Sequence, residues 1–179
     1  FSFLKNKPLV ILEGEYHFQN RSFLTSLFGK KIIQLAVDYD FINSKVDNDF
    51  LPVKNAIFTT RSDRNLDMLI DYWKEIKSKT ENSNLLINPP FEITEYHEKL
   101  GIKVRSKGLK RDLINDLINS RVMLVPGHKG EVFCLAAEEA RELCLPIVTM
   151  GIGSLYERVE HNVTGFIARN KSEFIDYST

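Results

Sequence analysis

Residues 122–143 read VMLVPGHKGEVFCLAAEEAREL, and the order of residue types in this stretch decides the fold. Residues 122–125 are an apolar run of strand length, Pro126 and Gly127 end it, and a second glycine, Gly130, precedes an Ala- and Leu-rich segment that reads as a helix to about Leu143. A strand that turns directly into a helix is half of a βαβ unit. The same alternation continues on both sides. Strands are predicted at 56–59, 85–88, 102–104, 122–125, 146–149 and 165–168. Helices are predicted at about 65–77, with Leu66, Leu69, Ile70, Trp73 and Ile76 on one face, and at about 111–119, with Leu113, Ile114, Leu117 and Ile118 on one face and Asp112, Asn115 and Asp116 turned away. The expected fold is α/β, a Rossmann-like parallel sheet with helices on both faces.

Before residue 43 the chain is shorter-winded. Residues 8–13 (PLVILE) read as a buried strand, 21–28 as a helix closed by Gly29, and 31–37 as a second strand, with 43–52 a polar connection. The whole chain has 179 residues, 43% of them hydrophobic, which suffices for one full domain and part of another. Twenty-four Lys and Arg balance twenty-four Asp and Glu, so no global field gathers nucleic acid, and any anion site must be local. No apolar run approaches the roughly 18 residues of a membrane span and no signal peptide opens the chain, so a soluble, cytoplasmic protein is expected. The chain starts at Phe1 without a methionine, as a fragment of a longer polypeptide would. Cys134 and Cys144, ten apart in one predicted helix, suit neither a mutual disulfide nor a metal site and are expected to be buried thiols.

In open parallel sheets, ligands bind beyond the carboxyl ends of the strands. That places function in 59–64, 126–135 and 150–157. The helix start after Gly130 offers free backbone N–H groups and the positive end of the helix dipole, with His128 and Lys129 adding local charge. On spacing alone the same stretch is equally a plain βα turn whose glycines serve geometry.

The context adds more. The run from Gly130 to Ala140 (GEVFCLAAEEA), then LPIVT at 145–149, GIGSLYERV at 151–159 and EHNVTGF at 160–166, resembles the donor lobe of family 4 (group 1) retaining glycosyltransferases of the GT-B type, over roughly residues 55–170. The family's Glu, seven residues, Glu signature is matched by Glu131 and Glu139. The resemblance implies that Glu131 contacts a sugar hydroxyl, that the amides of Phe133, Cys134 and Leu135 approach the sugar and diphosphate, and that Glu139 binds the ribose. An ionised carboxylate suits vicinal hydroxyls because charge-assisted bonds are the stronger ones. Glu138 and Glu142 are expected on the solvent face.

The loop TTRSDRNLD at 59–67 resembles the subgroup reading S-x-x-D-R-G-L-D, whose cations neutralise the departing diphosphate. Arg64 is the first choice for that role and Arg61 the second; here Asn65 stands where the family generally has glycine. Two surface arginines beside Asp63 and Asp67 are the alternative. Segment 101–108, with Lys103, Arg105 and Lys107, resembles the stretch whose backbone flanks the nucleobase, and equally reads as a solvent-facing cationic edge. Trp73 reads as core, His17 and His97 as bystanders and His161 as part of a turn. Glu157 either approaches the nucleotide or pairs with Arg158 on the surface.

The resemblance implies residues 1–50 as the end of an N-terminal lobe plus linker and 51–179 as the nucleotide-sugar-binding domain. It further implies a metal-independent, front-face transfer from a nucleotide-diphospho-sugar to a saccharide or lipid-linked acceptor, with peripheral membrane contact through the remaining lobe a possible feature. No nucleic-acid partner and no cofactor are expected. Two other classes stand beside it: a different two-lobed sugar-nucleotide enzyme, such as an epimerase or phosphorylase, and a non-catalytic nucleotide-sugar-binding or assembly module.

Overall fold

The structure, a computed structural model, describes residues 5–44, 46 and 51–179. Six strands form one parallel sheet: β3 (Asn55–Phe58), β4 (Asn84–Ile87), β5 (Ile102–Val104), β6 (Val122–Gly127), β7 (Ile147–Ile152) and β8 (Gly165–Ile167). Their order is β5-β4-β3-β6-β7-β8, so the chain builds outward from β3 in one direction, returns, and builds outward from β6 in the other. The reversal falls between β3 and β6, where Ala56 pairs with Val122 and Ile57 with Met123. The loops leaving these two strands diverge to opposite faces and leave a crevice between them.

Helices cover both faces, because strands buried on two sides need two apolar coats. On one face α4 (Leu66–Lys79) lays Leu66, Leu69, Ile70, Trp73 and Ile76 against β3 and β4, joined by Phe174 and Ile175 of α8 (Lys171–Tyr177). The Trp73 indole N–H donates to the Leu100 carbonyl at 2.9 Å, so even the polar atom of this core residue is satisfied. On the other face Ile114 and Leu117 of α6 (Lys110–Ile118) and Ala137 and Ala140 of α7 (Leu135–Glu142) close the second core. A short α5 (Glu95–Lys99) and a 3-10 helix (Gly153–Glu157) complete this region. The strand and helix positions predicted beyond residue 55 all appear, shifted by a few residues at the ends.

The N-terminal segment differs more from expectation. Strands β1 (Leu9–Leu12) and β2 (Gly29–Ile32) pair in parallel, with α1 (Glu15–Gln19) and α2 (Phe23–Ser26) between them and α3 (Tyr39–Ile42) after them. The predicted helix at 21–28 shrinks to four residues because Ser22 caps it late, accepting from the Thr25 N–H. Gly29, read as a helix terminator, instead opens β2. Strand β1 is not the buried strand expected: Leu9 is 58% exposed, and only Leu12 is enclosed. Phe41 of α3, at the edge of the predicted linker, inserts into the second core beside α7, and Lys110 holds Asp38 at 2.5 Å and Asp40 at 3.2 Å. The segment is thereby anchored to the large sheet. Of the predicted connection at 43–52, residues 45 and 47–50 lie outside the described residues. Among the described residues, no helix is long and apolar enough to cross a membrane.

Asn65 explains one departure from the family pattern. Its φ of 63° and ψ of 35° are left-handed, a conformation glycine adopts freely and asparagine tolerates best among the rest. Its amide also donates to the Gly127 carbonyl at 2.5 Å, tying the β3–α4 turn to the end of β6. Asn65→Ala therefore forfeits both advantages and is expected to cost about 1–3 kcal/mol. Asn65→Gly keeps the turn and loses only the bond, at about 1 kcal/mol. Urea denaturation of the two variants checks the order.

Candidate functional site

The crevice between β3 and β6 collects the predicted residues. Loop 59–64 turns on an Arg64 N–H to Arg61 carbonyl bond of 3.0 Å and swings the Arg64 side chain across to loop 127–131. There the Arg64 guanidinium, 17% exposed, meets two groups. Its Nη1 lies 3.0 Å from His128 Nδ1, and its Nε lies 3.6 Å from a Glu131 carboxylate oxygen. The Gly130 N–H also donates to His128 Nδ1, at 2.9 Å. Both partners of that nitrogen are donors, so Nδ1 serves as the acceptor. His128 thus positions Arg64 and Gly130. Arg64 Nε has no hydrogen-bond acceptor, since Glu131 stands in ion-pair contact beyond hydrogen-bond length. A half-buried cation and a half-buried anion thus stand together beyond the ends of β3 and β6, and the buried Arg64 Nε is left without a hydrogen-bond partner.

Backbone packing makes the loop's shape obligatory. The Glu131 N–H donates to the His128 carbonyl at 2.9 Å, and the Ser154 N–H of the 3-10 helix donates to the Glu131 carbonyl at 2.9 Å. Gly153, at φ 77°, lies directly beneath; a Cβ there would run into the His128 and Glu131 carbonyl oxygens. Next comes Phe133, whose buried ring carries the Arg158 guanidinium at 4.2 Å from its centroid. Cys134 follows at φ 59° as the residue before α7, an unusual left-handed conformation for a side chain of this kind. Leu135 opens α7. Among the described residues, the N–H groups of Phe133, Cys134 and Leu135 donate to no protein acceptor; for Cys134, the N-cap, and Leu135 this is what a helix start leaves open. Burial, then the nearby Glu131 charge, pushes the Cys134 thiol up to about 12, which leaves it no nucleophilic role.

Glu139 sits half-buried further along α7, near Asp38 and Lys110. Burial first, then the Asp38 charge, holds its carboxyl above the ordinary range, with Lys110 opposing. Arg61 does not join the crevice cluster: it is 76% exposed and pairs with Asp63 at 2.7 Å. Glu138 overturns its assignment to the solvent face. It is 5% exposed and receives Arg158 at 2.7 Å and Arg141 at 2.5 Å. Arg158 is equally buried and bonds Glu157 at 3.1 Å, so of the two readings of Glu157 the pairing with Arg158 is present, not on the surface but in a packed ionic network behind the loop. Glu142 does face solvent, as expected, while Cys144 is exposed, not buried.

On the β4 side, Arg105 turns inward from the predicted cationic edge. It donates to Asp116 at 2.7 Å and to Asn88 at 2.9 Å, and Asn88 donates to the Thr59 carbonyl at 2.8 Å. Asp116 therefore does not simply face away. The three bonds stitch the ends of β3, β4 and β5 together behind an open cleft of about 330 Å³ lined by Thr59, Thr60, Arg61, Asp63, Asn88 and Pro90. Neither Arg105's inward turn nor His128's acceptor role is legible from local sequence, because both depend on which loops the sheet order juxtaposes.

No curated protein sequence is significantly similar to the chain. In fold it is similar to S. aureus TarM, solved as a variant with Fondaparinux, alpha-GlcNAc-glycerol and UDP, at 16% identity and a TM-score of 0.72, with 94% of this chain and 36% of that one covered. It is similar to Anabaena HepE, solved with UDP and glucose, at 15% identity and a TM-score of 0.66, covering 99% of this chain and 62% of HepE. Sucrose-phosphate synthase from Thermosynechococcus elongatus aligns at 13% identity and a TM-score of 0.68, over 94% of this chain and 47% of its own. The chain thus spans between about a third and two thirds of these structures. The family described as glycosyl transferases group 1 matches residues 56–176, which hold the whole six-stranded sheet apart from its first residue. The chain belongs to the group 1 glycosyl transferases.

Proposed function

We propose that this chain is the donor-binding half of a retaining GT-B glycosyltransferase that moves a sugar from a nucleotide-diphospho-sugar to a saccharide or lipid-linked acceptor. The observation that carries the reading is the Arg64, His128 and Glu131 cluster at the strand-order reversal, beside the unpartnered N–H groups that open α7. In this reading Arg64 and the N–H groups of Phe133, Cys134 and Leu135 take the diphosphate, and fixed cationic and dipolar charge stabilises it as it leaves. Glu131 accepts from a sugar hydroxyl and Glu139 from the ribose. Arg61 reaches the diphosphate only by leaving Asp63.

The chain's own guanidinium offsets the negative charge that develops on the leaving diphosphate, so the transfer is expected to need no metal and no cofactor. Transfer with retention follows a front-face path in which a donor phosphate oxygen takes the acceptor's proton. UDP, glucose and alpha-GlcNAc-glycerol in the TarM and HepE structures support a nucleotide sugar and a saccharide as partners. Residues 1–50 form the end of an acceptor lobe with its linker, and 51–179 form the donor domain. In this reading peripheral membrane contact belongs to the remainder of the acceptor lobe, and a cytoplasmic site of action accords with a soluble donor.

Calorimetric titration with UDP, GDP and ADP tests the reading. One nucleotide is expected to bind, and Arg64→Ala and Glu139→Ala are each expected to weaken it about 10- to 100-fold, the worth of one charge-assisted bond. Silence toward all three at millimolar concentration in a folded sample overturns the assignment and favours an assembly module. Added EDTA is expected to leave the affinity unchanged.

Glu139 also makes a prediction that needs no ligand. Its carboxyl binds a proton more tightly folded than unfolded, so its contribution to stability declines as pH rises through the carboxylate range. Glu139→Gln is expected to stabilise the free chain at neutral pH, with the gain shrinking toward acid, while it weakens nucleotide binding. Urea melts at pH 4 and pH 7 read the difference.

A further inference from the structure

Loop 127–131 is held at four points, and one of them comes from outside the family domain. Asn65 holds the Gly127 carbonyl, Arg64 holds His128, and Ser154 holds the Glu131 carbonyl. The fourth is Tyr16 of α1, whose hydroxyl donates to the Lys129 carbonyl at 2.7 Å.

The position of Tyr16 is itself built. Helix α1 starts at Gly14, which has no side chain to cap it. The carboxylate of Glu157, at the end of the 3-10 helix, takes that place and accepts the Tyr16 N–H. A carboxylate is favoured at a helix start both as an acceptor and by the dipole. Gly14 is what permits the approach, since a Cβ there would lie 2.5 Å from a Glu157 carboxylate oxygen. The Tyr16 ring packs edge-on to Tyr156 with centroids 6.0 Å apart. Behind it, Glu157 is fixed by Arg158, and Arg158 by Glu138 of α7 and the face of Phe133. The N-terminal segment is therefore bonded both to the loop that carries Glu131 and, through Glu157 and Arg158, to the helix that follows it.

We infer that Tyr16 is a positioning residue for loop 127–131: the docked N-terminal segment orders the peptide at Lys129, and so sets where Glu131 stands. Resting on the donor reading above, this makes Tyr16 a determinant of the sugar end of the donor and not of the nucleotide end. Glu139 stands apart from this loop, and Arg64, though it meets the loop at His128 and Glu131, takes its own backbone position from the turn closed by its N–H on the Arg61 carbonyl.

Tyr16→Phe removes only the hydroxyl and leaves the ring on Tyr156. In the ligand-free chain, amide hydrogen exchange across 128–131 is expected to accelerate roughly three- to tenfold, as the loss of one hydrogen bond implies. Affinity for a nucleotide sugar is expected to fall by a similar factor, while affinity for the matching nucleoside diphosphate stays within about twofold. Gly14→Ala, which displaces the Glu157 carboxylate from α1, is expected to reproduce the exchange result and to extend it to residues 14–16. Unchanged exchange at 128–131 in Tyr16→Phe overturns the inference whatever the chain binds. So does an equal loss for nucleotide and nucleotide sugar. Accelerated exchange in a wild-type background that binds no nucleotide at all supports Tyr16 as the holder of the loop and sinks only the donor assignment.

Discussion

Everything at the site descends from the pairing of β3 with β6. Two residue pairs, Ala56 with Val122 and Ile57 with Met123, join strands separated by two complete βα excursions. Because the sheet is parallel, both strands release their loops at the same edge, and because the order reverses there, the loops part instead of covering one another. Arg64 and Glu131 belong to opposite banks of that parting and meet across it. Without the reversal, a cation from one excursion and an anion from another would have no common opening.

The structure then spends its buried polar groups on holding the banks still. Asn65 bridges them through the Gly127 carbonyl, His128 receives Arg64 on its acceptor nitrogen, and the 3-10 helix clips the Glu131 carbonyl from below. A second tier, Glu138 with Arg158 and Phe133, stiffens the start of α7. Buried ion pairs contribute little net stability but are costly to break, which suits a wall that must keep its shape when a charged ligand arrives or leaves. Arg105 and Asn88 serve the same end on the β4 side. Among the described residues, the Glu131 carboxylate and the first N–H groups of α7 keep bonding capacity for a ligand.

What could be read from the sequence was what local periodicity encodes. Leu66, Leu69, Ile70, Trp73 and Ile76 repeat at helical spacing and are all buried as that spacing requires. The six apolar runs after residue 55 became six strands. Asn65 was visible as a departure from glycine, and its left-handed backbone supplies the reason. The illegible parts are those set by distant partners. Helix α1 is short, polar and uncapped by its own residues, and its cap comes from Glu157. Glu138 and Glu139 are neighbours with the same side chain, yet one is sealed against Arg158 and the other stands near Asp38 and Lys110. Strand β1 is apolar enough to read as core, but only Leu12 is covered by what the structure describes. Arg105 looked like one of three cations on an edge until Asp116 and Asn88 drew it in.

The two cysteines carry a practical corollary. Cys134 is enclosed at the head of α7, with its thiol shifted far from reactivity, while Cys144 stands in solvent just past the helix's other end. A thiol-directed dye or spin label therefore attaches at one place in the native chain without any engineering, and α7 itself becomes the rod that connects the reporter to the cradle.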